Sequence, residues 1–202
     1  MFSYDLPPGQ KWRQYELKAQ GLRDFARVPP YARLNPFALA RFAKLLVVDF
    51  EQIQALSSEA RNHLLGPGTE EWSGGACSLP LPDGRRIVIL NPNQSRARTN
   101  ATLMEEISHV FLGHRPSRLT VASADEQGRT VYRDYRKTDE EAAYATGAAA
   151  LVPFAALRSF VLRGRTIPAI ASYFQVSRSL VEYRLKVTHL WSTYRGFHTE
   201  DG

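Results

Sequence analysis

From Thr138 to Pro153 the chain runs acids first and then mostly small residues. Asp139, Glu140 and Glu141 precede Ala142, Ala143, Ala145, Gly147, Ala148, Ala149 and Ala150. Alanine favours helix and Pro153 stops it, so Thr138 to Leu151 reads as one helix. With so little side chain, such a helix can approach a second helix closely, because interaxial distance follows the side chains at the contact. Thr138 and Glu141 have the spacing of an N-capping box, which claims Glu141 for the helix terminus. Glu140 is left over, in line with Tyr144, Gly147 and Leu151.

The natural partner is the helical pattern from Ser95 to Leu112, closed by Gly113. Leu103, Ile107, Val110 and Phe111 form its apolar stripe. Glu105 and His109 are four apart and share a face, and Glu106 follows Glu105 directly. In zinc-protease helices, residues at i and i+4 bind the metal and the Glu after i acts as general base. The usual His-Glu-x-x-His is here Glu-Glu-x-x-His. Alone, a Glu-x-x-x-His on a helix is commonly a solvated or salt-bridged surface pair. Set against the small-residue helix it gains weight, since Glu140, 31 residues after His109, can supply a third ligand.

The rest of the chain supports these two helices. Residues 1–9 read as an irregular lead-in, 11–27 as a helix broken by Pro29-Pro30, and Asn35-Pro36 as N-cap and first residue of another. Leu45 to Val48 reads as a strand, and residues 50–65 as short helices ending at Gly66-Pro67-Gly68. Trp72–Leu81 and Arg86–Leu90 flank the turn Pro82-Asp83-Gly84. Leu119–Ser123 and Thr130–Tyr135 form a second candidate hairpin around residues 125–128. Helices follow at 154–162, 167–174 and 178–190, with the tail from Trp191 unassigned. The expected fold is α+β: a mostly helical domain with a small antiparallel sheet packed beside the metal helix. The expected division is a lead-in (1–30), a metal-binding domain (31–153) and a C-terminal helical segment (154–202).

Composition narrows the classes. The chain has 202 residues, 44% hydrophobic and 23% charged, which excludes a disordered chain. No apolar run approaches the roughly 18 residues of a membrane span, so no membrane partner is expected. The N-terminus lacks the basic stretch and apolar core of a secretory signal. The single cysteine, Cys77, excludes an internal disulfide and a cysteine-rich zinc site. It fits a reducing compartment, and the expected location is the cytoplasm. Cys77 itself, in a strand-like stretch without a nearby base, reads as a packing residue. The net charge is +6, and from Phe154 onward seven Lys or Arg stand against three acids. That basic quarter suits a solvated face, nucleic acid or an acidic partner.

Taken in order, four stretches resemble the ImmA/IrrE family of bacterial metallopeptidases, a zincin-like group. They are the strand–turn–strand from Trp72 to Asn91-Pro92, the helix from Arg98 through Glu105-Glu106 and His109 to Gly113-His114, the helix from Glu140 to Pro153, and the segment from Ile167 to Leu185. The resemblance implies a zinc held by two histidines and a downstream glutamate. On that pattern His109 matches the second histidine, Glu106 the general base and Glu140 the downstream glutamate. Glu105 stands where the first histidine should be. A carboxylate binds zinc at roughly the same distance as an imidazole, about 2.0–2.2 Å. Two carboxylates neutralise the ion further, make it a poorer Lewis acid, and would suit manganese or iron better than a two-histidine set. Three readings stay open: an active variant site, an altered-metal site, and a pseudoenzyme without metal that kept the fold.

The resemblance further implies a protein substrate, such as a helix-turn-helix repressor of a phage, mobile element or stress regulon, whose cleavage relieves repression. The alternative is a catalytically inactive regulator that binds DNA or a repressor through its basic C-terminal helices. Residues 170–185 read as helix, tight turn, helix with Ser177 as N-cap, and Arg178, Tyr183, Arg184 and Lys186 are candidates to face phosphates. The same segment can instead be a helix pair that covers the peptidase core. His114, five residues after His109 and beyond the helix end at Gly113, can swing toward a metal, but is expected to face solvent or substrate. His63, His189 and His198 are expected to be structural or exposed.

Overall fold

The computed structural model describes residues 5–54, 56–77, 79–114 and 137–198. Two helices carry the centre of the molecule, α4 (Arg96–Phe111) and α5 (Lys137–Leu151), numbered in chain order. Ahead of them come α1 (Gln10–Phe25), α2 (Pro36–Phe42), β1 (Leu45–Val48), α3 (Ser58–Leu65), β2 (Gly74–Ala76) and β3 (Arg86–Leu90), with short 3-10 turns at Phe50–Gln52 and Thr69–Glu71. Behind them come α6 (Phe154–Leu162), α7 (Ile167–Phe174), α8 (Arg178–Val187) and α9 (Trp191–Gly196). The domain is α+β and mostly helical, as expected. The second candidate hairpin, at 119–135, lies outside the described residues.

The contact between α4 and α5 is as close as the alanines allow. Leu103, Met104 and Ile107 of α4 are fully buried, as are Ala143, Ala145, Ala149 and Leu151 of α5. At Gly147 even a methyl group would crowd the neighbour, reaching within 3.2 Å of Ser108 Oγ and 3.3 Å of the Met104 carbonyl. Any side chain there would make the neighbouring turn give by a few tenths of an ångström, so glycine suits this close crossing, which sets α5 beside the Glu105–His109 face. The expected capping box does not form. Thr138 already lies inside α5, and Glu141 pairs instead with Lys11 of α1 at 2.5 Å.

The sheet differs from expectation in its direction. β3 is central, β2 pairs with it antiparallel from Gly74 opposite Leu90, and β1 pairs with it in parallel from Leu45 opposite Arg86. The sheet is thus mixed. A parallel pair needs a crossover, and residues 49–85 supply it. β2 is three residues long, and the pairing carries one step beyond it, where the Cys77 amide donates to the Ile87 carbonyl at 2.7 Å. The turn at 82–84 forms as expected, with Gly84 N donating to Leu81 O at 2.8 Å and Arg85 N to Asp83 Oδ1 at 2.9 Å. Cys77 is exposed, so it is not the packing residue expected.

Helix α1, inside the expected lead-in, packs on α5 and carries charge into the core. Glu16 and Arg184 are both essentially inaccessible. Glu16 Oε2 accepts from Arg184 Nη2 at 2.5 Å, and Oε1 accepts from the Phe154 amide at 2.6 Å. That amide opens α6, where Pro153 as N-cap has no side chain to offer. Arg184 Nε also donates to the Val152 carbonyl at 3.0 Å. Two turns further along α1, Arg23 Nη1 donates to the Ala150 carbonyl at 2.6 Å, and Nη2 to the carbonyls of Ala32 and Pro29. Burial pushes the Arg23 guanidinium down to about 10, so it remains charged at neutral pH. Together α1 and α8 clamp the 53° bend between α5 and α6. No single described helix is long and apolar enough to cross a membrane.

The same contacts correct the phosphate-facing set. Helices α7 and α8 are joined through Gln175 in a left-handed conformation, and Ser177 caps α8 by accepting from Leu180 N at 3.1 Å. Arg184, however, points into the core, and Tyr183 packs edge-on against Trp12 and Tyr144. Of the four candidates only Arg178 and Lys186 are exposed, and Lys186 lies over the Trp191 ring. The segment covers the core because its apolar positions Leu180, Val181 and Leu185 bring Arg184 inward with them, where Glu16 meets it.

Candidate metal centre

Helix α4 begins at Ser95, whose hydroxyl accepts from Arg98 N at 3.3 Å. Its period then sets Leu103 and Ile107 into the core and leaves Glu105 and His109 at the margin, facing α5. Glu140, in the first turn of α5, meets them there. One ligand atom each from Glu105, His109 and Glu140 lies within 4.8 Å of the others, and all three residues are half-buried. His109 Nε2 and Glu140 Oε2 are 3.4 Å apart, with side chains 21% and 26% exposed. The three residues singled out by spacing therefore converge.

The electrostatics of this point are unbalanced without a cation. Burial, then the nearby charges of Glu140 and Glu106, push the Glu105 carboxyl up to about 7, against a weaker opposing pull from Arg98. Two acids and an imidazole are the donor chemistry of a divalent-ion site, with the His109–Glu140 pair 3.4 Å apart and Glu105 within 4.8 Å of both. Bonds of roughly 2.0–2.2 Å in tetrahedral geometry put donor atoms roughly 3.3–3.6 Å apart, and three protein donors leave a fourth position open. The donor set is richer in oxygen than a two-histidine site, so zinc, manganese and iron all match its chemistry. Glu106, the candidate general base, is half-buried next to this point.

Glu105 gives the metal-free chain a distinctive pH response. Its folded value near 7 lies above the ordinary 4.5, so the folded state holds a proton that the unfolded state has released between those values. The stabilisation is complete below about pH 4.5 and is lost as pH rises through about 7. A shift of this size corresponds to about 3 kcal/mol at most, and partial exposure reduces it to about 1–3 kcal/mol. In denaturant melts under chelator, Glu105→Gln should be the more stable form at pH 8 by that amount and show no advantage at pH 4. Parallel profiles for the two proteins would remove the crowding of Glu105.

Two residues of this neighbourhood were named in the sequence but given no place in the three-residue set. His114 does not face solvent. Its side chain is 13% exposed, its Nδ1 is 3.1 Å from Nδ1 of His109, and its Nε2 is 3.9 Å from Asp139 Oδ1. Burial foremost lowers its basicity. Tyr144, one turn after Glu140, stacks edge-on against Tyr183 and feels the charge of Glu105, which adds to burial in raising its phenol. The signal for His114 was present in the sequence as Gly113, since a left-handed helix end folds the following residue back over the last turn. His63, His189 and His198 are exposed, as expected.

A helix with Glu105 and His109 on one face, a glutamate delivered by a second helix and a small sheet alongside define a metallopeptidase-type domain. The Peptidase_M78 family model, described as the IrrE N-terminal-like domain, matches residues 69–186, more than half of the chain. The protein belongs to this metallopeptidase family, the ImmA/IrrE group. The match runs from the turn before β2 into α8 and contains Glu105, Glu106, His109 and Glu140. No curated protein matches the chain.

Proposed function

We propose that the protein is a metal-dependent endopeptidase acting on a protein substrate. The observation that carries this reading is the convergence of Glu105, His109 and Glu140 within 4.8 Å beside a half-buried Glu106. Glu105, His109 and Glu140 would hold the metal. When bound, the ion supplies Lewis-acid polarisation of a peptide carbonyl and makes a bound water more acidic. Glu106 accepts the water's proton and returns it to the departing amine, so one carboxylate serves as base and then as acid. Family membership supports a substrate of the repressor type, a helix-turn-helix protein of a phage, mobile element or stress regulon, and cleavage would end its repression. The inward setting of Arg184 and Tyr183 weighs against a DNA-binding regulator as the alternative.

Metal analysis of the purified full chain tests the reading. About one equivalent of zinc, manganese or iron should be present and should be lost in His109→Ala with the fold retained. A metal-free protein that takes up none of the three ions would overturn it, and salt-dependent DNA binding in that protein would favour the regulator.

A further inference from the structure

His109 has two ring nitrogens, and the metal centre uses one. Nε2 faces Glu140, and Nδ1 faces Nδ1 of His114 at 3.1 Å with the rings edge to face. The backbone builds this pair. Gly113 takes a φ of +70°, its amide donates to the Val110 carbonyl at 3.1 Å, and the His114 amide donates to the His109 carbonyl at 3.0 Å. This double closure is the helix ending in which the residue after the left-handed glycine lies over the residue five earlier. The contact usually joins two apolar side chains; here it joins two imidazoles. Only one proton fits between the facing nitrogens. On the far side of His114, Asp139 Oδ1 lies 3.9 Å from Nε2, too long for a direct hydrogen bond but near enough for its charge to favour a proton there.

We infer that His114 is a positioning residue for the metal centre: its unprotonated Nδ1 accepts the Nδ1–H of His109, which leaves the Nε2 lone pair of His109 free on the side that faces Glu140. The inference rests on the metal-centre reading above and adds the group that sets the ligand's tautomer. A metal-binding histidine generally donates its other N–H to a fixed acceptor, and loss of that acceptor costs about 10–100-fold in metal affinity.

The test uses the full chain and zinc alone, with affinity read by competition against a chelator. His114→Leu fills the space without an acceptor and should weaken zinc binding about 10–100-fold. His114→Asn places a carbonyl oxygen near the lost Nδ1 and should bind within about threefold of the wild type, a rescue that a packing role would not produce. Nitrogen-15 NMR of the zinc-loaded wild type should show His109 as the Nδ1–H tautomer, and this readout decides the question if the leucine variant fails to fold. Wild-type affinity in His114→Leu would overturn the inference. So would equal losses in both variants, which would make His114 a ligand itself, or an Nε2–H tautomer at His109. If wild type and His109→Ala bind zinc equally or not at all, it is the metal-centre reading that fails, and the inference goes with it.

Discussion

Glu16→Ala should destabilise the protein by about 3–5 kcal/mol, the cost of leaving a buried charge without its partner. For a domain of this size that corresponds to a fall in melting temperature of about 6–20 °C. The reason is local. Removing the carboxylate strands Arg184 in a site that admits almost no solvent and uncaps the Phe154 amide at the start of α6. Glu16→Gln should fall between, since its amide oxygen can still accept from Phe154 N but carries no charge for Arg184. Replacing both residues, Glu16→Met with Arg184→Met, should recover more than half of the loss, because a buried pair exchanged for apolar side chains of similar volume is often close to neutral. Thermal melts of the four proteins settle the matter. A loss below about 1 kcal/mol in Glu16→Ala would mean that the bend between α5 and α6 does not depend on this pair.

Glu106→Gln should lower peptide hydrolysis by about 10²–10⁴-fold, the range that a positioned general base contributes. Metal content should not change, because Glu106 is not among the three converging groups. Glu140→Gln, by contrast, should lower both together. Cleavage of a mixture of denatured proteins, read by mass spectrometry, serves where the natural substrate is unknown. Full turnover in Glu106→Gln would remove that residue from the mechanism while leaving the metal centre untouched.

How far the sequence could be read follows from the range of each interaction. Glu105 and His109 were legible because a helix repeats every 3.6 residues and puts i and i+4 on one face. Glu140 was legible because alanines and Gly147 mark a helix that must lie close to another, and the residue in line with them points the same way. The direction of β1 was not, since Leu45 to Val48 is an apolar run that pairs equally well either way and only the crossover decides. Arg184 misled for a similar reason. Read beside Arg178 and Lys186 it belongs to a basic surface, and its partner Glu16 lies 168 residues away in an N-terminal helix of alternating charge. The His114–His109 contact fell between these cases: short in sequence, but set by one backbone angle at Gly113 that no side-chain pattern records.

The span of the Glu16–Arg184 bond also bears on timing. Chains emerge from the ribosome at roughly 5–20 residues per second, so α8 follows α1 by roughly 10–30 s. Through that interval Glu16 has no guanidinium to meet, and the junction that holds α5 at its angle is unsecured. Glu105, His109 and Glu140 have all been synthesised well before α8 completes the clamp. A nascent chain would thus carry every group of the metal centre before it holds them in register, and the competence to bind metal would arrive as a late step of maturation.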